Sequence, residues 1–325
     1  MKTFARIASL THFASLSWRR VAMVGSLVAV LWSLASLPAA QGQQSNEKTF
    51  ASPGEAAQGL YKAAQDNDQA ALSAIFGTSA NELLHSGDQV ADKKMAADFL
   101  RRYDEMHRVV IEPDGTATLY VGADNWPLPI SIVKASSGAW YFDVENGKQE
   151  ILYRRIGTNE NDAIEICHAL VQAEHEYASV VRSGEASRLY ALKFVSDEGK
   201  QDGLFWKVAP GEPSSPIGPL VADATSEGYT RHKGKTPFHG YYFRILDKQR
   251  TSSKAGMKES AINGTLARGF AFLAYPAQYK NSGVMTFVVN QDGIVYQKDL
   301  GPETESIASA MTEYNPDATW DRLDE

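Results

Sequence analysis

Two Glu-x-x-His units, Glu82-Leu83-Leu84-His85 and Glu165-Ile166-Cys167-His168, come nearest to metal chemistry in this chain. Helical positions three apart share a face, and di-metal carboxylate bundles aim two such units and two further glutamates into one core. No four-helix pattern surrounds the units here. His85 falls in a last helical turn, where a cation suits the dipole, and His168 falls on a solvated stripe. The expectation is therefore no metal and no cofactor. Cys167, the only cysteine, is adjacent to His168. Neighbouring helical side chains diverge by about 100°, so the two cannot form a nucleophile–base pair. A lone cysteine on an apolar stripe reads as a small core residue. With no second cysteine there is no internal disulfide, and the fold must rest on burial.

Binding chemistry has a better claim. Trp206, His239, Tyr241, Tyr242 and Tyr275 form an aromatic concentration late in the chain. Flat rings bind sugars, peptides or proteins because they offer area at low entropy cost, although the same side chains also pack cores. These five are the candidate binding residues. In the first half, Tyr103, Asp104, Tyr120, Trp126 and Asp143 could line a pocket in which a carboxylate base and hydroxyl donors move protons. That is the alternative, enzymatic reading. Asp197 to Gly203 (DEGKQDG) approximates a calcium loop, but the oxygen spacing fails and Lys200 intrudes, so it reads as a solvated turn. No Gly-x-Ser-x-Gly, His-Glu-x-x-His, P-loop or dinucleotide fingerprint is present. A non-enzymatic protein is the expectation.

The totals narrow the class of partner. With 325 residues, 43% hydrophobic and 22% charged, the chain has material for two ordinary globular cores. Residues 1–42 hold Lys2, Arg6, Arg19 and Arg20 and no acid, which leaves −11 on the rest of a chain whose net charge is −7. An acidic body argues against nucleic acid and against anionic membrane. Arg19-Arg20, the apolar run Val21–Leu37 and the small residues Ala39-Ala40-Gln41-Gly42 read as a signal peptide. Export to the periplasm as a soluble protein, without a stable membrane anchor after cleavage, is expected. The sequence leaves the oligomeric state open.

The elements that must position these residues follow from local signals. Ser52-Pro53-Gly54-Glu55 is a helix start with a capping box, and Asp68 caps a second helix stopped by Gly77. A third helix bears Leu83 and Leu84. A fourth runs from Asp88 to Met106 with Met95, Phe99, Tyr103 and Met106 along one stripe. Arg108–Glu112 with Thr116–Val121, and Ile130–Val133 with Ala139–Val144, read as hairpins. Helices are predicted over Gly147–Ile156 and again from Thr158, and Lys200–Pro219 reads as an extended proline-rich loop. Gly240–Leu246 is a strand and Lys248–Gly264 a polar excursion. Phe270–Tyr275, Val284–Val289 and Ile294–Leu300 form a sheet in which the middle strand, apolar on both faces, is an inner strand covered on each side. A last helix carries Ile307, Ala310 and Met311, and Asn315-Pro316 ends it.

The fold class is thus α+β, helices plus antiparallel sheet in each of two domains, 43–156 and 157–325, after a signal peptide over 1–42. By order of elements the first domain is similar to the nuclear-transport-factor-like cone. The second, with its GYYFRIL, AYP and FVVNQDG segments, resembles the globular part of type IV pilins and pseudopilins. That resemblance implies, as a further alternative, a secretion-assembly component, although pilins carry their apolar assembly segment directly on the long helix. The mature chain as a whole resembles a family of exported bacterial periplasmic proteins classed as a domain of unknown function. The residues carrying this likeness are Gly199–Trp206, Pro213–Leu220, Pro237–Leu246, Tyr275–Pro302 and Asn315–Trp320. It implies a periplasmic location and supplies no catalytic residue. Binding or scaffolding in the cell envelope, with an envelope protein or glycan as partner, is the leading expectation.

Overall fold

The computed structural model describes residues 47–181, 189–229, 236–246 and 269–323, together with the backbone of short strand segments between 248 and 266. The signal-peptide reading lies outside the described residues. The first half opens with α1 (Pro53–Gln65), α2 (Gln69–Phe76), α3 (Ala80–Leu84) and α4 (Gln89–Glu105). The caps are the expected ones. Ser52 accepts from the Glu55 amide, Asp68 from Ala71, and Asp88 from Val90 and Ala91. The α4 stripe is narrower than its pattern suggests: Tyr103 is buried, whereas Met95 remains 41% exposed because little is packed over that part of the helix.

A twisted antiparallel sheet follows, built from β1 (His107–Ile111), β2 (Ala117–Val121), β3 (Trp126–Pro127), β4 (Ile132–Lys134) and β5 (Trp140–Phe142). Its order is β1-β2-β4-β5, with β3 paired to β2. The inner residues Ala117, Ile132 and Phe142 pack on Leu60, Ile75 and Phe76 of the helices to form the first apolar cluster.

One helix then differs from its sequence reading. Instead of two helices broken near Gly157, α5 runs unbroken over Val144–Ser179. Gly157 faces open space and imposes no turn. Side chains on both sides of it are tied by hydrogen bonds to segments of both halves. Arg155 donates to the carbonyls of Glu82 and Leu83 and to Asn281; Asn159 donates to the Ser282 carbonyl at 2.8 Å; Glu160 Oε1 accepts from the Val284 and Met285 amides at 2.9 and 3.0 Å. The expected boundary at 156/157 therefore falls inside a helix, and the described residues belong to one compact unit.

After α5 comes α6 (Gly218–Ser226), which the proline-rich reading missed. Four more short strand segments follow β6 (Tyr241–Leu246): β7 (Lys248–Arg250), β8 (Met257–Glu259) and β9 (Ala261–Ile262) within the expected polar excursion, and β10 (Thr265–Leu266) just beyond it. The second sheet comprises β6, β11 (Ala271–Pro276), β12 (Met285–Asn290), β13 (Val295–Asp299) and β15 (Asp321–Arg322), in the order β15-β13-β12-β11-β6. The inner-strand expectation is met. On one face Phe287 and Val289 pack with Phe272, Cys167 and Leu170, and on the other Val288 packs with Leu273 and Tyr275. The last helix, α7 (Thr304–Ala310), buries Thr304 and Ala308 and leaves Ile307 exposed. The chain leaves it before Asn315-Pro316, because β14 (Glu313–Tyr314) pairs in parallel with β7. The class is α+β, 

as the element pattern requires.

Candidate binding site

A cavity of about 740 Å³ opens between α5, α6 and the lead-in to β6. Ile166 and Leu170 of α5 form one wall. Phe194, Val195 and Phe205 form a second, where Val195 bridges to Phe205. Leu220, Val221, Ala224 and Thr225 of α6 form a third, and Phe238 and Phe243 close the end. The local sequence explains each wall. Apolar residues at 163, 166, 167, 170 and 171 give α5 its buried stripe. Pro219 sits in the first turn of α6, where a missing amide costs nothing. α6 buries no residue of its own, so its position is set from its ends. Ile217, 7% exposed, anchors the start. Glu227 and Tyr229 anchor the finish.

That second anchor is built around His239. Phe238-His239-Gly240-Tyr241 is a two-residue hairpin loop, with both central residues at positive φ (50° and 75°) and the Tyr241 amide donating to Phe238. This is the pattern of a type I′ turn, where histidine is one of the few side chains tolerated at the first position. The turn aims the imidazole between two acids. Nδ1 lies 2.7 Å from Asp162 Oδ2 on α5, and Nε2 lies 2.9 Å from Glu227 Oε2 at the end of α6. A neutral ring offers one N–H; an imidazolium offers two and carries the charge both carboxylates attract, as a hydrogen bond at Asp162 and an ion pair at Glu227. The hydrogen bond to Asp162 above all, with Glu227 adding to it, raises the His239 pKa against the opposing effect of burial. The Tyr229 hydroxyl donates to buried Asp88 at 2.8 Å and accepts from the His239 amide at 3.1 Å, while the Gly240 amide donates to the same Asp88 oxygen at 3.0 Å. Burial, and then the Asp88 charge, raises the Tyr229 pKa. With both ring nitrogens facing acids, His239 is a clamp between helices and not a base presented to a substrate.

The five aromatic candidates are not brought to one surface. His239 borders the cavity through Tyr229 and Phe238. Trp206 is half-buried against the larger core. Tyr241 is wholly buried in that core, its hydroxyl donating to the Met285 carbonyl. Tyr275 is wholly buried beneath the opposite face of the sheet, where it packs against Tyr242. β6 is the physical reason: successive residues point to opposite faces, so Tyr241 and Tyr242 separate. The cavity's apolar wall was missed because its parts come from a helix, two loops and a strand, and no local periodicity joins them.

The first-half residues also disperse. Tyr103 stacks between Tyr61 and His107 beside a smaller cavity of about 330 Å³. Asp104 is exposed and accepts from the Tyr61 hydroxyl; Asp143 is the cap of α5; Arg108 lies over Tyr120, and Arg102 and Arg154 lie over Trp126. These positions do not place a carboxylate over the cavity. Glu82 pairs with Lys148 at 2.6 Å, and His85 ends α3. Among the described residues no group of three or more His, Cys, Asp or Glu could hold a metal ion. Cys167 is fully buried, which pushes its thiol up to about 12. In the Asp197–Gly203 turn, Lys193 bridges Asp197 and Asp202, and Lys200 adds to it; these lysines bring the Asp197 carboxyl down to about 2.

The architecture defines an α+β protein with an apolar cavity bounded by a clamped helix. The pattern of DUF2950, a protein of unknown function, matches residues 47–323, and the chain belongs to that family. No curated protein and no solved structure matches the chain. The likeness of the second half to pilins rests on the residue pattern alone.

Proposed function

We propose that this DUF2950 member is an exported binding protein that holds a small apolar molecule in the cavity between α5, α6 and β6. The observation that carries the reading is an open cavity of about 740 Å³ with predominantly apolar walls, within the range of small-molecule sites. Export is the reading of residues 1–42, and it fits a chain with a single, buried cysteine. A glycan platform is less well supported, because Tyr241 and Tyr275 are spent in the core. Titration of the purified protein with a neutral environment-sensitive dye, N-phenyl-1-naphthylamine, tests the proposal. Saturable binding, weakened at least tenfold by Ala224→Trp on the cavity face of α6, is expected. Unsaturable fluorescence, or equal binding by the variant, would refute it.

A further inference from the structure

We infer that the cavity takes a free long-chain carboxylate, its chain along the apolar walls and its head at Lys207. The inference rests on the reading of the cavity as a binding site and adds the class of ligand. Lys207 is the one charged residue among the described residues lining the cavity, and it is exposed at the rim. As the one charged group among the described lining residues of a protein of net charge −7, Lys207 selects the sign of a ligand head group by charge complementarity.

The hydrogen-bonding side chains among the described lining residues argue against a peptide segment. The Tyr229 hydroxyl is committed to Asp88 and the Thr225 hydroxyl to the Val221 carbonyl. Thr236, like Lys207, is exposed. An extended peptide would carry an amide and a carbonyl at every residue past described side chains that offer few partners for them. An acyl chain has no such groups, and its one polar end falls where the polar groups are. A cationic amphiphile would set like charge against Lys207. A neutral one would leave that lysine without a partner from the ligand.

Displacement of the neutral dye from the purified protein by palmitate, hexadecanol and hexadecylamine tests this. Palmitate is expected to displace at a concentration at least tenfold lower than the other two. Lys207→Glu, an exchange at an exposed position, should abolish that preference, read as the ratio of the palmitate to the hexadecanol displacing concentration. Equal displacement by all three, or preference for the amine, would overturn the carboxylate and leave the cavity reading standing, provided Ala224→Trp still weakens the dye. Failure of dye binding, or an Ala224→Trp protein that binds normally, would remove both. Stronger displacement by an apolar peptide would also overturn the inference. So would palmitate-insensitive pelleting with phosphatidylglycerol vesicles, or self-association that Ala224→Trp abolishes.

Discussion

His239 is the residue at which pH should act. Its pKa is raised in the folded protein by Asp162 and Glu227, so the bridge stabilises fully below the ordinary histidine value of about 6.5 and loses its effect as pH rises through the raised value. The groups facing the ring are Asp162 from α5, Glu227 from α6, and the Tyr229–Asp88 pair across the turn. Wild type should therefore be more stable than His239→Gln near pH 6, by about 1 kcal/mol, with the gap closing in more alkaline buffer. Thermal melts of both proteins across pH 5.5–9 check this, and a gap that widens with pH contradicts it. Gly240 offers a second test. Its φ is 75° and an added Cβ would collide with Asn159 Nδ2, so Gly240→Ala should lose about 2–3 kcal/mol in urea unfolding. Cys167 should resist thiol reagents in the native state and react on unfolding, being buried with its thiol pushed up to about 12.

At the scale of elements, most caps and turns were legible because their signals are local. Ser52, Asp68 and Asp88 cap, and Gly77, Gly115, Gly138 and Gly293 adopt the positive φ their turns need. α6 was hidden because four prolines within Lys200–Pro219 suggested an extended chain, although the last of them is a helix-starting residue. α5 was divided at Gly157 because a glycine between apolar stripes resembles a stop, and the side-chain ties that override it are long-range. The site was legible only in part: His239 was singled out as aromatic, but its two acids lie 77 residues before it and one residue past the end of the unrecognised helix. Arg155 measures the strength of those ties. Arg155→Met leaves the Glu82 and Leu83 carbonyls and Asn281 without this partner, at a cost of about 3 kcal/mol in urea unfolding. A loss below about 0.5 kcal/mol would show that solvent replaces the arginine freely.

At the scale of the whole molecule, the main apolar cluster of the first half and that of the second are joined by one helix and a polar seam. The seam runs through Arg155, Asn159, Asn281 and Asp88, so a ligand that fixes α6 acts on the same clamp that meets the first half through Asp88. A small molecule seated in the cavity should therefore leave its mark on the walls first. Hydrogen–deuterium exchange of the purified protein, with and without the neutral dye, tests the central claim most directly. The account predicts slowed exchange over residues 194–207 and 217–229, with the first sheet unchanged. Protection confined to residues 53–142, or none anywhere at saturating dye, would contradict it.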